Sequence, residues 1–236
     1  MSEIRLAIIG MGKMGRAVSQ LALERGFRVV AEIDASERAN RSVTRSSLGP
    51  ADVAIEFTVP DAAVSNIRAC VAAGCPVVVG TTGWYDELPP LRAEVLLADG
   101  ALLAAPNFSV GVAVFERVIA EASRLFGSLP GFDAHLIETH HNKKRDAPSG
   151  TAGYLARTAS AALGYPVPIT SVRVGSVPGT HELIFDAPFE QVRLTHEARD
   201  RRVFAEGALL AARWLVGRTG VFSMQDVLST PSNPLR

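Results

Sequence analysis

The stretch "IRLAIIGMGKMGR", residues 4–16, decides the fold. A short run of β-formers closes on Gly10, and Gly10, Gly12 and Gly15 then take the G-x-G-x-x-G spacing. Beyond them Ala17, Val18, Leu21 and Ala22 recur at helical spacing, in a segment that reads as helix up to Arg25. In such a strand–loop–helix turn the first glycine permits the tight bend. The second lets a pyrophosphate approach the backbone, and the third lets helix and strand pack closely. The helix N-terminus turns N–H groups and a positive dipole end toward the phosphates, and Lys13, beside Met14 in the loop, can add a point charge. A second strand, "FRVVAEID" (27–34), ends on Asp34, 19 residues beyond Gly15, near the spacing at which a carboxylate receives the adenine-ribose hydroxyls. The glycine spacing alone is weak. Strand before, helix after and acid on the next strand make it a dinucleotide site, and a glycine-rich turn without a nucleotide is the competing interpretation.

Outward from this loop, "VAIEFT" (53–58), "PVVVGTT" (76–82) and "ALLAAPN" (101–107) read as further strands, with helices at 61–73 and 85–98. Nearly continuous apolar strands separated by helices imply a parallel sheet covered on both faces. The chain is therefore expected to be α/β, with an N-terminal Rossmann dinucleotide-binding domain over residues 1–107. Ligands of such sheets bind outside the carboxyl ends of the strands. Those ends, "EFT" (56–58), "GTTG" (80–83) and "APNFSVG" (105–111), are small or polar. Thr81, Thr82 and Asn107 offer hydrogen bonds for a nicotinamide amide or a substrate carboxylate, though ordinary turn chemistry uses the same residues.

Past residue 108 the pattern changes. A helix over about 111–126 precedes "FDAHLIETH" (132–140), where apolar and polar residues alternate as in a half-buried strand. A helix at about 150–163, three strands in quick succession ("SVRVGS", "HELIFD", "EQVRLTHEA") and a last helix at 205–217 follow. This predicts a C-terminal α+β domain on an open mixed sheet over 108–207.

The 236 residues carry a formal net charge of zero, which gives no sign of a nucleic-acid partner or an anionic membrane surface. No apolar run reaches the roughly 18–20 residues that span a bilayer, and the first residues do not read as a secretory leader. Cys70 and Cys75 read as buried thiols in a reducing cytosol rather than a disulfide. No Cys/His cluster with metal-ligand spacing lies near them.

The densest chemistry lies in "ETHHNKKRDAPSGTA", residues 138–152. Only three of the 24 Lys+Arg are lysine, and two of them, Lys143 and Lys144, stand here beside two of the five histidines. His140 and His141 end a strand, so their side chains leave on opposite sides. Histidine suits proton transfer near neutrality, and a lysine ammonium can attract a carboxylate or stabilise developing negative charge. Pro148, Ser149, Gly150 and Thr151 open the next helix, whose N-terminus is receptive to anions. The cluster reads as a receptor for a small carboxylate. For Lys143 alone a solvated loop position is the better interpretation.

That segment closely resembles the E-x-H-H-x-x-K-x-D-A-P-S-G-T-A signature of the 4-hydroxy-tetrahydrodipicolinate (dihydrodipicolinate) reductase family of lysine and diaminopimelate synthesis. The resemblance extends to "GMGKMGR", "EFTVPDAAVSNIRACVAAGCPVVVGTTGW", "APNFSVGV", "VRVGSVPGTHELIF" and "ARWLVGRTGVFSMQDVL". It implies a pyrophosphate loop over Gly10 to Gly15, a ribose acid at Asp34, and cofactor contacts at Phe57, Gly80, Thr82, Ala105, Asn107 and Phe108. It implies a general acid at His140, a substrate cation at Lys144, and substrate binding by His141, Thr82, Ser149, Gly150 and Thr151. It further implies hydride transfer from the nicotinamide C4 to the substrate ring C4 with loss of water, a cytoplasmic homotetramer built through the open sheets, and a C-terminal segment, 208–236, that rejoins the first domain. Asp34 repels a 2′-phosphate, and Ala35 and Ser36 bring no guanidinium, although Arg16 and Arg38 lie near. Both NADH and NADPH are expected, with NADH at least as good. Ala35, Ser176 and Pro178 depart from residues common in the family. The competing functions are an aspartate- or diaminopimelate-type dehydrogenase and a non-catalytic nucleotide-binding protein.

Overall fold

The computed structural model describes residues 3–34 and 42–229. The chain divides into two compact units, one of residues up to Ser109 together with those from Arg202 onward, the other Val110–Arg201.

The first unit holds a six-stranded, all-parallel sheet. Its strands are β1 (Ile4–Ile9), β2 (Phe27–Ile33), β3 (Val53–Glu56), β4 (Val77–Val79), β5 (Ala101–Ala104) and, from the chain's end, β10 (Gly220–Phe222), in the order β10-β5-β4-β3-β1-β2. One sheet face, with Ala7, Ile9, Ala54, Val77, Val79 and Leu102, buries itself under α3 (Pro60–Ala72) and α4 (Leu88–Leu97) through Ala63, Ile67, Cys70, Leu91 and Val95. α7 (Arg202–Leu215) packs on α1 (Lys13–Ala22) and over β3, β4 and β5. Strands buried on both faces explain why their sequences are apolar throughout rather than alternating.

Three strands are shorter than their sequence implies. β3 stops at Glu56, β4 at Val79 and β5 at Ala104, and the residues after each form the loops of the carboxyl edge. A single ladder bond holds each loop start in place: Phe57 N–H to Ile9 O, Gly80 N–H to Glu56 O and Ala105 N–H to Val79 O. A short helix α2 (Arg45–Leu48), the strand β10 and a helix α8 (Met224–Ser229) had no counterpart in the sequence pattern.

The second unit is a mixed four-stranded sheet in the order β7-β6-β8-β9, built from β6 (Asp133–His140), β7 (Ile169–Arg173), β8 (Thr180–Ala187) and β9 (Glu190–Glu197). β6 runs parallel to β7 and antiparallel to β8, and β9 is antiparallel to β8. Helices α5 (Val110–Gly127) and α6 (Gly150–Leu163) pack through Phe115, Ile119, Leu155 and Ala159 onto Ala134, Leu136, Leu183 and Phe185. The alternation in β6 is thereby explained: Ala134, Leu136, Glu138 and His140 are buried, while the residues between them are less so.

Candidate active site

In the first unit the glycine loop is shaped as a nucleotide cradle. A Cβ on Gly10 would lie 2.2 Å from the Phe57 carbonyl oxygen, and one on Gly15 only 1.9 Å from that of Gly10. Gly12, in contrast, faces open space and is the N-cap of α1, where no side chain caps the helix. The first-turn amides and the bare Gly12 backbone therefore suit an incoming phosphate. Gly10 N–H donates to Ile33 O at 2.7 Å, which sets half-buried Asp34 level with the loop. Lys13 is exposed at the first position of α1, and Met14 behind it is half-buried. Arg16 turns its Nε back to the Met11 carbonyl at 3.1 Å. Ala35, Ser36 and Arg38 lie outside the described residues.

At the other strand ends Phe57, Gly80 and Phe108 come together. The Phe57 ring covers Gly80 so closely that a Cβ there would lie 1.9 Å from it, and Phe57 meets Phe108 edge-on at 6.0 Å between centroids. Thr82 is exposed, as a ligand contact requires, and Ala105 is buried beneath. Thr81 has a different duty. Its Oγ1 accepts the Thr58 N–H at 2.7 Å and its carbonyl accepts the Trp84 indole N–H at 2.7 Å, so its hydrogen bonds tie loops together. Asn107 Oδ1 accepts the Ser109 N–H at 2.8 Å.

In the second unit the strand pairing assembles a polar cluster at the end of β6. Register sets His140 opposite Arg173 and Glu138 opposite both Ser171 and His181. Glu138 is fully buried, and its carboxylate accepts from Arg173 Nη2 at 2.7 Å, from the Ser149 N–H at 3.3 Å, and contacts His140 Nδ1. Burial pushes this carboxyl up, but the hydrogen bonds from Arg173, Ser171 and His140 outweigh it and hold it at about 2. Burial also pushes the His140 imidazole below its ordinary value, with Glu138 pulling the other way and Lys144 and Arg173 adding to the fall. Ser149 caps α6 by accepting the Ala152 N–H at 3.1 Å and lies 3.3 Å from His181 Nε2. Gly150 is exposed and Thr151 half-buried in the first turn of α6.

Lys144 is the more sheltered of the two lysines. It holds both Asp146 oxygens at 2.8 and 2.9 Å, which lowers the Asp146 carboxyl, whereas Lys143 is exposed. His141 is half-buried at the start of a turn closed by Lys144 N–H to His141 O. Sequence reasoning passed over Glu138, Arg173 and His181. The first stands inside the signature itself, but the partnership with the other two arises only from strand register. Among the described residues no group of side chains is arranged to hold a metal ion.

The N-terminal and C-terminal domain models of dihydrodipicolinate reductase match residues 4–108 and 111–228. The 4-hydroxy-tetrahydrodipicolinate reductase of Christiangramia forsetii is 35% identical over 238 residues, covering 96% of this chain and 98% of its own. That of Myxococcus xanthus is 37% identical over 267 residues, covering 95% and 97%. Among solved structures, a dipicolinate-bound dihydrodipicolinate reductase from Paenisporosarcina sp. TG-14 has the same fold, with a TM-score of 0.79 at 24% identity, covering 94% of this chain and 98% of its own. A C. glutamicum DAP dehydrogenase shares the fold more loosely, with a TM-score of 0.53 at 15% identity, covering 99% and 97%. With both domain models matched in order and relatives aligned nearly end to end, the chain belongs to the dihydrodipicolinate reductase family.

Proposed function

We propose that this chain reduces 4-hydroxy-tetrahydrodipicolinate to tetrahydrodipicolinate with a nicotinamide dinucleotide, in the synthesis of diaminopimelate and lysine. The observation that carries this is the loop from β6 to α6, where an imidazole on a buried carboxylate, a sheltered ammonium and a helix N-terminus fall within a dozen residues. In the reaction one hydride and one proton enter the substrate and one water leaves. The bound dihydronicotinamide supplies the hydride.

The chain's own residues do the rest. The α1 N-terminus and Gly12 hold the pyrophosphate, Asp34 the ribose, and the loops carrying Phe57, Gly80, Thr82, Ala105, Asn107 and Phe108 the nicotinamide end. Lys144 exchanges Asp146 for a substrate carboxylate and then faces the electron density pushed into the ring. The first turn of α6, with Ser149, Gly150 and Thr151, receives the second carboxylate, and His141 adds a ligand. His140 delivers the proton.

On this account the first unit is the dinucleotide domain and the second the substrate domain. NADH serves at least as well as NADPH, because Asp34 repels a 2′-phosphate. A homotetramer through the outer face of the second sheet also belongs to it, supported by Val172 and Val174, 38% and 51% exposed on and just after an edge strand. Cytoplasmic residence is supported by Cys70 and Cys75, both free and buried. The test is loss of nicotinamide absorbance with freshly generated hydroxytetrahydrodipicolinate, run with each cofactor and set against amino acids plus NAD⁺. Turnover with the former only is expected. Activity on aspartate or diaminopimelate alone would overturn the substrate, and a kcat/KM favouring NADPH by more than about tenfold, roughly 1.4 kcal/mol, would overturn the cofactor preference.

A further inference from the structure

Glu138 and Arg173, at the ends of β6 and β7, take no part in the steps above. Glu138 is fully buried between two groups: Oε1 faces Arg173 and Oε2 faces His140 Nδ1. Arg173 is itself fixed, with Nη1 donating to the Val172 carbonyl at 2.8 Å and Nη2 also to the Asp146 carbonyl at 2.7 Å. The carboxylate therefore has little freedom to leave His140. Four ionisable groups face that imidazole: Glu138 from β6, Lys144 from the following loop, Arg173 from β7 and His181 from β8, whose ring meets it edge-on at 5.3 Å. Glu138 is the anion among them.

On the other side of the ring lies Gly179: a Cβ there would stand 3.0 Å from His140 Nε2, so glycine spares that edge the crowding of a side chain. Nδ1 faces the buried carboxylate and Nε2 faces Gly179, so the two nitrogens lie in different surroundings.

We propose that Glu138, anchored by Arg173, is a positioning residue for His140: it accepts the Nδ1 hydrogen, fixes tautomer and ring orientation, and leaves Nε2 to take up and deliver the proton. This rests on His140 being the proton donor of the reductase. In the step, the Nε2–H bond of the imidazolium breaks as a substrate–H bond forms. The ring returns to its neutral form with Nδ1–H still on Glu138, and Glu138 neither gains nor loses a proton. Solvent restores the proton to Nε2. Lys144 and Arg173 oppose the imidazolium, and the carboxylate offsets them.

Protein labelled with ¹⁵N-histidine reads this directly, with the His140 signals identified by their loss in His140→Gln. The wild type is expected to show the Nδ1–H tautomer. In Glu138→Gln the His140 titration moves down by at least about one pH unit. The limb over which kcat falls with rising pH moves by the same amount, and kcat at neutral pH drops by about tenfold or more while KM for NADH stays within about twofold. An Nε2–H tautomer in the wild type would overturn the proposal even if the variant fails to fold. An unmoved titration in a folded Glu138→Gln would overturn it as well. A wild type with the Nδ1–H tautomer but no reductase turnover would support the positioning and overturn the reductase assignment instead.

Discussion

Glu138 and His181 show how single side chains at the end of β6 and on β8 bear on the stability of the fold. Burial, with repulsion from neighbouring histidines, pushes His181 down to about 4 from an ordinary 6.5, and its Nδ1 is buried without a partner. Between those two values the unfolded chain binds a proton that the folded chain does not, so stability rises with pH across that window and is lost as pH falls through it. For a residue only 4% exposed the loss amounts to about 3 kcal/mol. Glu138, held at about 2 against an ordinary 4.5, adds a second loss at lower pH, fully present only below its folded value. Urea midpoints taken from pH 7 down to pH 4 are expected to fall steeply in the wild type and more gently in His181→Asn. Equal slopes in the two proteins would show that the imidazole is not the group responsible. Neither residue's part could be read from sequence, since His181 lies 43 positions beyond Glu138 and meets it only through the β6–β8 register.

At the scale of elements, the turn from β1 to α1 separates packing from binding in two glycines three positions apart. Gly15→Ala places a methyl against the Gly10 carbonyl, a backbone atom that cannot move aside, and is expected to cost about 1–3 kcal/mol of stability. Gly12→Ala meets nothing within 4 Å and starts from φ −71°, so stability should stay within about 0.5 kcal/mol. Its dinucleotide Kd should still rise at least about tenfold, roughly 1.4 kcal/mol, because the methyl occupies the phosphate approach. Titration calorimetry beside thermal melts checks both, and an unchanged Kd in Gly12→Ala would refute the placement of the pyrophosphate.

The same turn was fully legible in the sequence, because its glycines, helix stripe and terminal acid lie within about thirty residues and answer to local sterics. Strands β1 to β5 and the mixed second sheet were legible for a similar reason, the former through continuous apolar runs and the latter through alternation in β6 and closely spaced strands. Strand ends were overextended, since Phe57, Gly80 and Ala105 stay apolar or small after the ladder has ended. Too short to show a period, α2, β10 and α8 left no trace, and β10 forms by pairing with β5 across more than a hundred residues. The two lysines differ in exposure, Lys144 half-buried and Lys143 open to solvent, and Asp146 as the partner of Lys144 emerged only in three dimensions.

For the whole molecule, each of the two units carries its own core and its own cluster of candidate site residues. The first unit presents a glycine cradle and an aromatic-lined strand edge, and the second a cation, an imidazole on a buried carboxylate and a helix N-terminus. The family is one of reductases, and in the proposed mechanism Lys144 acts on the substrate and not on the nucleotide. The most direct measurement is the reduction of freshly generated hydroxytetrahydrodipicolinate by Lys144→Ala, with dinucleotide binding titrated on the same sample. In that variant kcat/KM for the substrate should fall by about a hundredfold or more, while the dinucleotide Kd stays within about twofold of the wild type. Unchanged turnover, or a dinucleotide Kd that weakens in step with the rate, would contradict it.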